Sequence, residues 1–197
     1  MLGRQGCRRV VRTRAKVSTT AAGETGLKCP CPLLGGVPRE QAFDVSNLDL
    51  EPEPGCALDT SEDVVRFFAS ALRPDGPWDG AEDVIRRHVR VCHDVCHAAV
   101  MFESQTEALG RYAEAGIAVG KVQVSSALHV PFERMDEDEA EVALERLRGF
   151  AEDRYLHQTT IRTGMGVELI DDLPEALERA DLDGQWRIHF HVPIHLE

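Results

Sequence analysis

From residue 47 onward, short apolar runs of strand length alternate with stretches in which apolar residues recur at helical spacing. Residues 48–51, Leu-Asp-Leu-Glu, make a short strand stopped by Pro52 and Pro54, because proline brings no ladder N–H. Thr60 with Asp63 three residues later is a helix-start signature, and Val64, Phe67, Phe68 and Ala71 then fall on one helical face. A strand at 89–94 precedes a helix at 104–115 with Leu109, Tyr112 and Ala113 on one side. A strand at 117–124 precedes a helix at 137–150 that aligns Ala143, Leu147 and Phe150. Its acidic first turn suits the positive end of the helix dipole. Residues 155–160 read as a further strand, Leu173, Ala176, Leu177 and Ala180 as a helical face, and 186–192 as a last strand. This alternation predicts βα units around a mainly parallel sheet.

Residues 1–46 lack that rhythm. They open Arg-rich, carry Gly and Pro around Cys29-Pro30-Cys31-Pro32 and Gly35-Gly36, and read as a disordered or non-family leader, with a transit peptide as one alternative and a mis-set start or disrupted gene as another. Charge divides at the same boundary. The leader's eight cationic and three acidic side chains give +5, so residues 47–197 carry −17 of a net −12. An acidic body repels phosphate backbones, which argues against nucleic acid as a partner. No apolar run approaches the roughly 18 residues of a membrane span. Cys7, Cys29, Cys31, Cys56, Cys92 and Cys96 do not have the density of a secreted disulfide scaffold, so a cytoplasmic protein is expected.

In a βα barrel the carboxyl ends of the strands converge on one face, and polar residues there can meet across long sequence separations. Glu51 and Glu53 follow the first strand one residue apart and offer a carboxylate ligand, or a carboxylate for proton transfer. Two solvated acids in a proline-rich turn is the alternative. In Cys92-His93-Asp94-Val95-Cys96-His97, Asp94 at a strand end and His97 in the next turn combine a hard oxygen with an imidazole nitrogen, a mixture suited to a divalent metal such as zinc or manganese. Cys92 and Cys96 have no second Cys pair to complete a zinc knuckle and are expected to be buried, inert thiols. His93 alternates away from Asp94, as a packed or surface side chain. Lys121 and Gln123 share a strand face, where Lys121 could neutralise an acidic substrate or pair with a carboxylate. His157 with Gln158, and His189 with His191 two residues apart, complete the candidate ligands, a hydrogen-bonded structural pair being the alternative for the last two.

The segments Leu50-Glu51-Pro52-Glu53-Pro54-Gly55-Cys56, Asp94-Val95-Cys96-His97, Lys121-Val122-Gln123-Val124-Ser125, Tyr155-Leu156-His157-Gln158 and Trp186-Arg187-Ile188-His189-Phe190-His191-Val192-Pro193 occur in one order. In that order they resemble the EboE family of metabolite-traffic proteins, which are xylose-isomerase-like TIM barrels. The Asp94/His97 element is also similar to the Asp-Thr-Cys-His motif of metal-dependent apurinic endonucleases and sugar isomerases. The resemblance implies an α/β fold, a partial (β/α)8 TIM barrel comprising the second half only, over residues 47–197. A closed barrel needs roughly 250 residues, which also points to a partial one. It further implies a bacterial protein that helps handle or export a precursor metabolite, a small-molecule ligand, and partners encoded by neighbouring genes. Glu51 would be the bridging glutamate and Asp94 and His97 the ligand pair, with Gln123 where many relatives place a histidine. Zinc, manganese or magnesium would be the ion. Catalytic roles, if any, would fall to Lys121 and Glu53. The alternative activity is a divalent-metal-dependent isomerase or phosphodiester hydrolase. A partial barrel would leave sheet edges exposed and favour self-association.

Overall fold

In the chain β1 (Leu48–Leu50), β2 (Val89–Asp94) and β3 (Val119–Gln123) form a three-stranded parallel sheet in the order β1-β2-β3. The structure is a computed structural model and describes residues 47–151, 155–179 and 182–190. The expected leader, residues 1–46, and the candidate ligand His191 lie outside the described residues.

Alternation sets the two faces of this sheet. Leu50, Val89, Val91 and Val119 pack with Val64, Phe68 and Tyr112 into one apolar cluster, so Asp49, Cys92 and Asp94 turn to the opposite face. The covering helices are α1 (Ser61–Leu72), closed at its start by a Thr60/Asp63 capping box, and α4 (Gln105–Glu114), capped by Ser104. Between them come α2 (Glu82–His88), which the apolar pattern did not announce, and α3 (Val95–Val100), a single short helix that begins directly after β2.

β3 contains an irregularity that matters for the site. Val91 pairs with Val119 and Cys92 with Lys121, so Gly120 is an extra residue in the ladder. Its missing side chain leaves room for the Asp49 carboxylate and Arg90, which a Cβ there would strike. The shift brings Lys121 and Gln123 onto the face of Cys92 and Asp94.

The second half departs from the expected parallel arrangement. β4 (Ser126–Val130), β5 (Thr159–Thr163), β6 (Gly166–Ile170) and β7 (Gln185–Phe190) form an antiparallel sheet in the order β4-β7-β5-β6. Two connections enforce this. Only residues 124 and 125 separate β3 from β4, far too few for a crossover, and β5 turns into β6 through Gly164 and Met165. The strand expected at 155–160 is displaced to Thr159–Thr163, and neither β4 nor β6 was foreseen. The described residues form a mixed α/β fold with one parallel and one antiparallel sheet and no closed barrel.

The antiparallel sheet rests on α5 (Glu137–Arg148) and α6 (Leu173–Leu177), through Trp186, Ile188, Ile161, Leu147 and Leu173. Trp186 is fully buried, meets Phe132 edge-on at 5.0 Å and donates its indole N–H to the Asp183 carbonyl at 3.2 Å. On the other face of β7, Arg187 donates to the Ala99 carbonyl at 2.7 Å and the His189 ring lies against that of His97. Helix α3 therefore joins the two sheets. No helix among the described residues is long and apolar enough to cross a membrane.

Candidate metal centre

Asp94 ends β2 and caps α3. Its Oδ1 accepts from the backbone N–H of Cys96 at 2.8 Å, from that of His97 at 3.1 Å, and from the Ser125 hydroxyl at 2.6 Å. This short side chain at an N-cap is the local reason the strand turns into a helix here. The same turn swings His97 back over the strand end. Burial raises the Asp94 carboxyl, but the Ser125 hydroxyl, the His97 charge and the two backbone donors outweigh it and hold Asp94 below the usual carboxylate value. Asp94 is thus an anion at neutral pH although its side chain is fully shielded.

His97 Nδ1 donates to the Pro52 carbonyl at 2.7 Å, since a carbonyl can only accept. In the neutral ring that fixes the lone pair on Nε2, which lies 3.9 Å from Asp94 Oδ2. Pro52 stands where it does because the turn after β1 carries Glu51 and Glu53 around the strand end. Glu51 Oε1 lies 3.8 Å from His97 Nδ1. One ligand atom from each of Glu51, Asp94 and His97 lies within 4.8 Å of the others, so this group could hold a metal ion. Ligand atoms of a tetrahedral ion bound at about 2.1 Å stand roughly 3.4 Å apart, so the three side chains would draw together as an ion bound.

Gln123 ties the carboxylates together. Its Nε2 donates to Glu51 Oε1 and, at 3.0 Å, to Asp94 Oδ2, while its oxygen accepts from Lys121 Nζ at 3.1 Å. In this orientation the amide supplies donors to the acids and presents no ligand atom. Among the described residues no Lys or Arg forms an ion pair with Glu51 or Asp94; only His97 stands within 4.0 Å. Two shielded carboxylates sharing one neutral donor are a place where a cation would be favoured.

The other expected site residues divide into neighbours and outsiders. His189 meets the His97 ring edge-on at 4.7 Å, and its Nδ1 is bonded to Gln158 Oε1 at 2.6 Å. Gln158 Nε2 in turn donates to the Pro54 carbonyl at 3.3 Å and to Glu53 Oε1 at 3.5 Å. His189 and Glu53 thus brace the turn that carries Glu51 and Pro52. His157 is buried and stacked on Phe190 at 5.1 Å, outside the Glu51–Asp94–His97 group. His93 is packed, as expected, with Nε2 at 2.6 Å from Gln105 Oε1 and its ring against Tyr112.

Cys92 and Cys96 are buried, and burial pushes their thiols up to about 12 and about 11 respectively, so both are protonated at neutral pH, in keeping with the inert thiols expected. Ser125 and Gln158, which stood in the candidate segments without a stated part, are positioning partners, and the Pro52 carbonyl is one that the sequence did not announce. Ser125 stands two residues after Gln123 in the candidate segment, but its role depends on the chain turning at residues 124 and 125. A backbone carbonyl leaves no compositional trace at all. The chain matches no protein-family model, no curated protein and no solved structure.

Proposed function

We propose that the Glu51–Asp94–His97 group binds one divalent cation, and that the chain uses it to hold a small oxygen-bearing metabolite, as an EboE-like metabolite-traffic protein built on part of a xylose-isomerase-like (β/α)8 barrel. The observation that carries this reading is the pair of shielded carboxylates beside an imidazole whose Nδ1 is committed to Pro52. Support for the barrel-like part comes from β1, β2 and β3, which run parallel with helices between them and bring Glu51, Asp94 and Gln123 to one end. Zinc or manganese suits a mixed oxygen and nitrogen set better than magnesium, which prefers oxygen and water. A bound cation would polarise an oxygen of the metabolite. Gln123 would orient the carboxylates, and Lys121, held beside Gln123, would meet a negative group on the ligand. The setting is the bacterial cytoplasm, with the products of neighbouring genes as partners.

Asp94→Asn is the sharpest test, because Asn still caps a helix whereas the ligand charge is gone. Chelator-treated full-length chain should bind one equivalent of Mn²⁺ or Zn²⁺ by calorimetry, and Asp94→Asn should bind at least about tenfold more weakly while keeping the circular dichroism of the folded chain. Equal affinity in the two proteins would place any ion elsewhere.

The second reading is a metal-dependent isomerase or phosphodiester hydrolase, favoured by the Lys121 ammonium one residue's reach from the carboxylates. It requires metal-dependent turnover of a sugar or phosphodiester that falls by about a hundredfold or more in Lys121→Ala. Cation binding without turnover supports the traffic reading.

A further inference from the structure

Away from the carboxylates, two arginines share one aromatic ring. The guanidinium carbons of Arg162 on β5 and Arg187 on β7 each lie 4.3 Å from the centroid of the Phe102 ring. Arg187 donates to the Ala99 carbonyl at 2.7 Å and Arg162 to Gln185 Oε1 at 2.9 Å. A guanidinium carries five N–H donors, so most of the donors of both groups remain unused among the described residues. No Asp or Glu among the described residues forms an ion pair with either. Burial lowers the Arg187 guanidinium below its usual value, and the neighbouring Arg162 charge lowers it further. Converging like charges are unfavourable unless an anion joins them.

Two further features sit at the same place. Thr160 is directly opposite Arg187 across the β5–β7 ladder and two residues from Arg162, so all three share one sheet face. Its Oγ1 is buried with no hydrogen-bond partner among the described residues, a cost that a native structure ordinarily avoids. Phe102 follows α3 with φ 58°, in the left-handed region where glycine is the usual residue. That conformation closes α3 one residue past its C-cap and carries the ring to the two guanidinium groups.

We propose that Arg162 and Arg187, both held against the Phe102 ring, form a binding site for a phosphate-type oxyanion carried by a small metabolite. Guanidinium groups recognise tetrahedral oxyanions through paired N–H donors, and the Phe102 ring orders both of them before the ligand arrives. In a chain of net charge −12 a phosphate is repelled from most of the surface, so a local pair of uncompensated cations is where it would settle. Arg187 and His189 both reach α3 from the same face of β7, one at Ala99 and the other at His97. The oxyanion site thus lies at the far end of α3 from the carboxylates, and it stands whether or not a metal binds.

The test uses chelator-treated full-length chain, so that metal plays no part, with inorganic phosphate as the probe at low ionic strength, followed by ³¹P NMR line broadening and calorimetry. One equivalent should bind saturably, and sulfate should compete. Arg162→Gln, at an exposed position, should weaken binding about tenfold or more with unchanged circular dichroism, and Arg187→Gln should weaken it at least as much. If Arg187→Gln loses its fold, Arg162→Gln alone decides. Absence of saturable binding to the wild-type chain overturns the proposal. So does equal binding by wild type and Arg162→Gln.

Discussion

Gln123 holds the two acids of the candidate centre at a distance an ion could exploit, because one amide nitrogen serves both Glu51 and Asp94. Replacing that donor by an imidazole would put a nitrogen lone pair where an N–H now points. Gln123→His is therefore expected to tighten Zn²⁺ binding by about tenfold or more. A competition titration against a chelator measures this, and weaker binding by the variant would mean that residue 123 does not face the ion. The sequence made Glu51, Asp94 and His97 visible for a physical reason. Strand ends and the first turn after them are local features, and carboxylate and imidazole chemistry is carried by residue type alone. His157 and His189 have the same chemistry, but stacking on Phe190 sets His157 apart from the group, and the Gln158 bond to His189 Nδ1 holds that ring beside His97. Those contacts come from the antiparallel sheet, which residue type does not reveal.

Elements with a local signature were readable, and those set by chain return were not. α1 shows the first case, since Thr60 and Asp63 close its N-terminus through the Asp63 backbone N–H and carboxylate. Burial raises the Asp63 carboxyl, but bonds from the Thr60 hydroxyl, Arg66 and the backbone N–H groups of Thr60 and Asp59 outweigh it and hold it below the usual carboxylate value in the folded chain. A depressed carboxyl contributes stability that is complete above the unfolded value and is lost as pH falls through the folded one. Wild type should therefore lose more stability than Asp63→Asn between pH 5 and more acid conditions, as read from urea midpoints across that range; parallel pH profiles would remove the linkage. β7 shows the second case. Its entry at Gly184 has φ 75°, and a Cβ there would strike the Arg162 carbonyl. Gly184→Ala should cost about 2 kcal/mol or more by urea denaturation, and a neutral result would mean that the β5–β7 register is not as described. Neither the 164–165 hairpin nor the short 124–125 link disturbs hydrophobic periodicity. For that reason the apolar rhythm suggested parallel βα units throughout.

At the scale of the whole molecule, two sheets of different kinds meet on α3, and the strand β3 ends the parallel sheet among the described residues with Val122 exposed. An unpaired parallel edge with apolar side chains is a template for self-association. Val122→Lys should accordingly raise the monomer fraction in sedimentation velocity, whereas an unchanged distribution would locate any association elsewhere. The central claim concerns which atoms hold the ion at the junction. X-ray absorption at the zinc edge of the Zn²⁺-loaded full-length chain tests it most directly. The account predicts oxygen and nitrogen scatterers at about 2.0–2.2 Å with one imidazole and no sulfur, a pattern that Asp94→Asn removes. A sulfur shell at about 2.3 Å, which would make a cysteine thiolate the ligand, would contradict it.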